Sequence, residues 1–371
     1  MLYCNAKLFT PDGYVYGGFR VEDGIFTEIV PGLAKGGEDL LGAKVLPGLV
    51  DIHTHGAAGA DFSDGDLDGL RRMAAYLAEH GVTSFVPTSV TLPYEALQAA
   101  FETARHLYDE RPRGCARVLG VHMEGPFFSR EKKGAQNEAF LREPDFEAFR
   151  RLYESCGGLI RLVDLAPELP GAAAFAARAG ALCRVSAAHT NADYDEAAAM
   201  FDAGASHLTH LFNAMPPIHH RSPGVIGAAS ERDKVTAELI CDGLHVHPAA
   251  VRMAFKLFPG RICLISDSLR CCGMPDGEYE LGGQTVTLND HLARLPDGTI
   301  AGSASDLFTC LRNAVRFGIP EEEAIRAATI LPARAVGAGD RVGSIEPGKA
   351  ADFVVCGESL QLRQVCLRDC L

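Results

Sequence analysis

The chain has 371 residues, of which 47% are hydrophobic and 22% charged, a composition that suits a soluble globular protein with a large buried core. Its formal net charge of -13 argues against nucleic-acid and anionic-membrane partners, which select basic surfaces, so an anionic small molecule would need local capture. The opening MLYCNAKLFT lacks the basic-then-apolar pattern of an export signal, and no apolar run reaches bilayer-spanning length; a cytoplasmic protein is expected.

Residues 1 to about 46 alternate short β-type runs with turns at Pro11-Asp12-Gly13 and Glu22-Asp23-Gly24. Eight apolar strand-like runs follow, at 49–53, 82–86, 118–123, 159–163, 184–188, 205–209, 237–241 and 262–266. Helical periodicity falls at 71–81, 96–108, 146–157, 194–204, 251–258 and 307–318, and four of these stretches end at Gly81, Gly157, Gly204 and Gly318. The link at 224–233 has the weakest helical pattern. Strand then helix, repeated about eight times, means a parallel sheet, and that count favours closure into a (β/α)8 TIM-like barrel over an open doubly wound sheet. No glycine-rich nucleotide fingerprint follows the first strand. The strand-like tail from Gly343 has too little chain for its own core, so it is expected to pair with the N-terminal strands. The predicted organisation is a small β-sandwich subdomain from residues 1–46 plus 340–371 and a catalytic barrel at 47–339.

The polar residues at the strand ends carry the chemistry. His53 and His55 come straight off the first strand, and the period of two puts both imidazoles on one face. Glu124 ends the third strand in HMEGPF, where Gly125 and Pro126 turn the chain. His122 shares its face one layer deeper and suits a structural role as well as a functional one. His189 ends VSAAH and His210 ends SHLTH; two imidazoles and a carboxylate with one open position are the ligand set of a catalytic divalent metal. His207, at odd spacing from His210, is expected on the opposite face as packing. His245 and His247 follow the seventh strand in DGLHVHP, where a substrate would be held and where one of them suffices. Asp267 closes RICLISD as a carboxylate available for proton transfer. The twelve cysteines include no CxxC pair and read as reduced thiols, among them Cys366 and Cys370; Cys271 and Cys272 either fill space or touch the site.

HTHG at His53, HMEGPF at His122, AAHT at Ala187, HLFNAMPP at His210, DGLHVHP at Asp242 and ISDS at Ile265 together resemble the N-acetylglucosamine-6-phosphate deacetylases of the amidohydrolase superfamily. The resemblance spans nearly the whole chain, including PDGEYELGG from Pro275 and the GSIEPGKAADFVV tail. It implies that Glu124, His189 and His210 hold one divalent metal and that Asp267 is the catalytic acid/base. It places Asn213, the Ala214 backbone and His245 on the sugar phosphate, and it makes Arg221 reach the phosphate of a neighbouring subunit, which implies a homodimer. Relatives differ at the HxH positions, so the intact His53 and His55 make a second metal, bridged through Glu124, plausible here. The count is then one or two per subunit, with zinc the first choice and iron, cobalt or manganese also suited to these ligands. Gln136 stands where many relatives carry a histidine on the acetyl carbonyl; an amide can donate there but cannot protonate.

The activity implied is hydrolysis of N-acetylglucosamine 6-phosphate to glucosamine 6-phosphate and acetate. N-acetylgalactosamine 6-phosphate, differing by one hydroxyl direction, is a second substrate the motifs allow. A dihydroorotase-type cyclic amidohydrolase is a third option, although 159–163 offers no bridging lysine, and a non-catalytic sugar-phosphate scaffold is a fourth.

Overall fold

The computed structural model describes residues 1–368; Cys370 lies outside the described residues. Eight parallel strands form the barrel: Leu49–Thr54, Val82–Pro87, a third split into Arg117–Val118 and Val121–Met123, then Ile160–Leu165, Arg184–Ala187, His207–Leu208, Thr236–Ile240 and Ile262–Ile265. The split third strand is still bound to the second by Leu119 N–H donating to the Phe85 carbonyl at 2.8 Å. The ring closes where Asp267 N–H donates to the His53 carbonyl at 3.0 Å and Ser266 Oγ donates to Asp51 Oδ2 at 2.6 Å.

A helix follows every strand: Leu67–Glu79, Tyr94–Glu110, Phe146–Ser155, Ala172–Ala179, Tyr194–Asp202, Gly224–Ser230, Pro248–Leu257 and Leu307–Arg316. Six of them carry the periodicity seen in the sequence, and the four glycines expected to close helices all have positive φ. The Ala172–Ala179 helix has no predicted counterpart because it is nearly all alanine, with Phe175 its one large apolar residue, and leaves no stripe to detect. Gly224–Ser230 is helical despite its weak pattern, held by burial of Val225, Ile226, Ala228 and Ala229.

At one end of the strands Val50, Ile52, Val86, Leu162, Ile240, Cys263 and Ile265 pack with Ala333, Ala335 and Val336 of the last helix region. That apolar closure leaves the carboxyl ends of the strands as the open mouth.

Strands from both chain ends share one seven-stranded sheet, in which Lys44–Pro47 runs between Leu2–Thr10 and Phe353–Cys356. Tyr3, Phe19, Phe26 and Phe353 pack mostly edge to face in its core, with centroids of contacting pairs 5.0 to 6.3 Å apart. Gly48 then carries the chain from this sheet into the barrel. A Cβ there would lie 2.1 Å from Thr83 Oγ1, so only glycine lets the first strand settle against the second.

A four-stranded antiparallel sheet, Gly277–Leu281, Gln284–Asn289, Leu292–Arg294 and Ile300–Ser303, is inserted between the eighth strand and its helix. Its alternation, buried Val286 and Leu288 against exposed Thr285 and Thr287, was present in the sequence. No disulfide forms among the described residues, and no described helix is long and apolar enough to cross a membrane.

Phe353→Ala should cost about 3–5 kcal/mol of unfolding free energy in urea denaturation followed by circular dichroism, because the emptied ring site is walled by three other aromatics. A loss below about 1 kcal/mol would mean that this cluster does not anchor the sheet.

Candidate metal and active site

The strand ends at the barrel mouth are not ordinary strand residues. His189, His210 and Asp267 sit at φ +43°, +29° and +49°, in the left-handed region that non-glycine residues rarely occupy. For His210 the consequence is direct. His207 and Thr209 follow strand parity into the barrel interior, where Thr209 Oγ1 donates to Asp164, and the left-handed turn then swings His210 inward as well. The expectation that His207 faces the opposite side as packing is therefore corrected. Its Nε2 donates to Glu238 at 3.1 Å, and its Nδ1 meets Thr236 Oγ1 at 2.6 Å. Gly125, at φ +87° after Glu124, turns the chain away; a Cβ there would lie 2.2 Å from Thr91 Oγ1.

Three groups of possible ligand atoms converge among the described residues: His53, His122 and Glu238 in the deeper layer, and two groups at the mouth that share Glu124. Glu124 Oε1 lies 3.2 Å from His189 Nε2 and 3.1 Å from His210 Nε2, and the two nitrogens are 3.1 Å apart. His53 Nε2 and His55 Nε2 are 3.3 Å apart, at 3.7 Å and 3.4 Å from the Glu124 oxygens and at 3.4 Å and 3.2 Å from Asp267 Oδ1.

The opposite ring nitrogens define which lone pairs face inward. His53 Nδ1 is 2.8 Å from Glu238 Oε2, His55 Nδ1 is 3.1 Å from the Thr88 carbonyl, and His189 Nδ1 is 2.9 Å from the Lys132 carbonyl. Those partners only accept, so each Nδ1 carries a proton and each Nε2 faces the centre, where it meets either a second proton or a cation. Unshared lone pairs and a carboxylate in van der Waals contact repel unless positive charge lies among them. A tetrahedral divalent ion with ligands at about 2.0–2.1 Å sets its ligand atoms about 3.3 Å apart, which these spacings fit.

The electrostatics agree. Burial pushes the Glu124 carboxyl up, but His53, His189, His210 and His55 outweigh it and hold it well below the usual range. Asp267 behaves alike, lowered by His53 and His55 against its burial. Burial lowers His55 and His210, yet Asp267 and Glu124 respectively lead the opposing pull, and both rings rise to about 9. The cluster demands cationic charge, as protons or as metal.

Beneath it lies a layer that strand-end motifs did not reveal. Glu238 and Asp164 are fully buried acids within the apolar runs TAELI and LVDL. A lone carboxylate inside an apolar strand was the available signal. His122 donates to Asp164 Oδ1 at 2.8 Å and to the Ile52 carbonyl at 3.2 Å; with both nitrogens donating it is an imidazolium, raised to about 9 against its burial mainly by Asp164.

A cavity of about 170 Å³ opens over the cluster, lined by His55, Glu124, Gln136, His189, His210, Asn213, Ala214, His245 and Asp267, with Val90, Leu281, Ile300 and Ala301 on its apolar side. The inserted sheet, not anticipated as part of the site, supplies the last three. Every sequence-predicted site residue is therefore in or directly under the cavity except Arg221, which is exposed on the loop after His210 and contacts His220. Gln136 is already engaged: Thr91 N–H donates to its Oε1 and its Nε2 donates to Glu124 Oε2, both at 2.7 Å. Of the histidine pair in DGLHVHP, His245 lines the cavity, held by Asp242 at 2.6 Å, whereas His247 caps the next helix. Cys271 packs in the core of the inserted sheet and Cys272 in the main core, and neither lines the cavity.

Comparison with known proteins gives the geometry a context. The amidohydrolase family model matches residues 44–365. The N-acetylglucosamine-6-phosphate deacetylase of Bacillus subtilis (strain 168) is 39% identical over 333 residues, 86% of this chain and 82% of that one. The N-acetylgalactosamine-6-phosphate deacetylase of Escherichia coli O157:H7 is 35% identical, covering 98% of this chain and 96% of its own. Among solved structures, a mutant N-acetyl-D-glucosamine-6-phosphate deacetylase from Mycobacterium smegmatis in complex with N-acetyl-D-glucosamine-6-phosphate superposes with a TM-score of 0.94 at 33% identity, covering 99% of this chain and 98% of that one.

Chelator-treated protein should gain stability on adding zinc, by about 2.7 kcal/mol at a hundredfold excess over Kd, read as a rise in the thermal midpoint. Glu124→Ala, which removes a ligand from both groups, should abolish the rise; an undiminished rise would place the ion elsewhere.

Proposed function

The chain belongs to the amidohydrolase family, and from that premise we propose that it is a metal-dependent hydrolase that removes the N-acetyl group of N-acetylglucosamine 6-phosphate, yielding glucosamine 6-phosphate and acetate in amino-sugar catabolism. The observation that carries this is the buried Glu124, His189 and His210 triad at the floor of a cavity, with Asp267 beside it, in a fold matching the Mycobacterium smegmatis deacetylase throughout.

Glu124, His189 and His210 would hold one cation, and His53 and His55 a second that shares Glu124, with zinc the first choice. When bound, a divalent ion supplies Lewis acidity for the acetamide carbonyl and lowers the pKa of coordinated water to about 7. Asp267, a carboxylate at rest, accepts the proton of the attacking water and returns it to the amine nitrogen, which leaves poorly unless protonated. Gln136 holds one Glu124 oxygen with one amide hydrogen and has a second hydrogen for the carbonyl oxygen as the acyl carbon becomes tetrahedral. His245, braced by Asp242, and Asn213 bind the sugar hydroxyls or phosphate.

The cavity lining contains no lysine or arginine among the described residues, so one chain offers the 6-phosphate no permanent counter-charge. Arg221, exposed nearby in sequence, supports a homodimer in which it reaches the neighbouring subunit's site with the bidentate donors phosphate favours. Absence of disulfides among the described residues supports a reducing, cytoplasmic setting.

Wild-type enzyme of measured metal content should release acetate from N-acetylglucosamine 6-phosphate faster than from its galacto epimer or from either sugar without phosphate. Metal-loaded protein inert toward the whole panel, or opening cyclic amides instead, would sink the proposal. Asp267→Asn should keep its metal and lose about 10²–10⁴ in kcat. Near-normal turnover would remove Asp267 from proton transfer.

Arg221→Ala should raise KM for the phosphorylated sugar at least about tenfold, the worth of one charged hydrogen bond, with no change for the unphosphorylated one. Mixing Arg221→Ala with Asp267→Asn subunits should restore one intact site per mixed dimer; no recovery after subunit exchange would refute a contribution across the interface.

A further inference from the structure

Glu238 takes no part in the proton transfers above, yet it is the most heavily committed acceptor under the site. It is fully buried on the seventh strand. Its Oε2 accepts from His53 Nδ1 at 2.8 Å and from the backbone N–H of His210 at 3.2 Å, and its Oε1 accepts from His207 Nε2 at 3.1 Å. One carboxylate thus grips a side chain from the first strand and the backbone of the sixth, one residue from each of the two ligand groups that share Glu124.

We propose that Glu238 is a positioning residue that sets the tautomer of His53, and that the His53, His55 and Glu124 position binds a cation because of it. The inference rests on the two-cation reading given above. A neutral imidazole carries one proton, and with no preference imposed it partitions between its two nitrogens. Glu238 commits that proton to Nδ1. The lone pair is then on Nε2, facing His55 Nε2 at 3.3 Å and Asp267 Oδ1 at 3.4 Å. The charge of the acceptor also makes the ring a stronger donor to a cation, as a carboxylate behind a metal-ligating histidine does in general.

His55 and His189 have backbone carbonyls in the corresponding role, and His210 Nδ1 has no partner among the described residues. The His53 position is therefore the one of the four whose competence depends on a single replaceable side chain. The same carboxylate, through the His210 N–H, braces a residue held at φ +29°, but backbone bracing acts on the other group and does not select a tautomer of His53.

The test uses full-length protein stripped with chelator and titrated with zinc alone, with bound metal counted and histidine tautomers read by ¹⁵N NMR on histidine-labelled, metal-free protein. Wild type should take up two equivalents, with His53 protonated at Nδ1. In Glu238→Gln the amide oxygen still accepts from His53 and His207 can exchange its own tautomer, so one equivalent should bind as in wild type and the other about ten- to hundredfold more weakly. Glu238→Met, similar in size but with no acceptor of comparable strength, should retain one equivalent and show a mixed His53 tautomer. His207→Gln, which disturbs the same network while leaving the acceptor for His53, should still bind two.

Two equivalents at unchanged affinity in both Glu238 variants would overturn the proposal, as would an unaltered His53 tautomer in Glu238→Met. Loss of metal in His207→Gln matching that in the Glu238 variants would reduce Glu238 to a fold brace and overturn it too. Should Glu238→Met fail to fold, the affinity split in Glu238→Gln decides. A wild-type protein that takes up only one equivalent would instead overturn the two-cation reading on which the inference stands, which separates the two failures.

Discussion

Four imidazole nitrogens and two carboxylates crowd together in a buried space, and most of the barrel mouth is arranged around the positive charge they require. Each of three rings has its second nitrogen committed to an acceptor, the Thr88 and Lys132 carbonyls and the Glu238 carboxylate, so Nδ1 keeps its proton and the positive charge must arrive at Nε2, as a second proton or as a bound cation. The cluster is consequently a built demand for positive charge. Its acids are held ionised and two of its imidazoles are strengthened as bases by the same proximity.

Assembling such a cluster takes backbone that would not form by itself. His189, His210 and Asp267 adopt left-handed conformations of order 1–3 kcal/mol each in cost. That cost is offset by the rest of the fold: closed parallel strands, an apolar packing layer at the opposite end and a fully buried core. Glu238 and the His122–Asp164 ion pair form an intermediate layer between the oily end of the barrel and the polar mouth. Each carboxylate in that layer accepts from at least two donors, Asp164 through Oδ1 and Glu238 through both oxygens, which is the condition under which buried charge is tolerated.

The two elements outside the barrel do different work. The seven-stranded sheet gathers both ends of the described chain against the first strand through Lys44–Pro47 and Gly48, so it steadies the strand that bears His53 and His55. The inserted four-stranded sheet reaches the cavity directly with Leu281, Ile300 and Ala301, giving the polar site an apolar wall against which an acyl methyl can be desolvated.

Local pattern sufficed for the eight strands, for six of the helices and for the strand-end side chains, because each depends on periodicity, glycine chemistry or a polar residue at the limit of an apolar run, all within a few residues of one another. The alanine-rich helix at Ala172–Ala179 left no amphipathic stripe, and the placement of the insert over the cavity depends on contacts with distant loops. Glu238 and Asp164 looked like interruptions of strands, and His207 looked like packing by parity. Their roles came from three-dimensional neighbours: the parity rule fails where a left-handed residue follows, and the partner of a buried carboxylate can lie 185 residues away, as His53 does for Glu238. Residue type and spacing determined which atoms are able to bind a cation; only closure of the barrel decided which nitrogen of each ring faces it, because that choice belongs to acceptors brought in from other strands and loops.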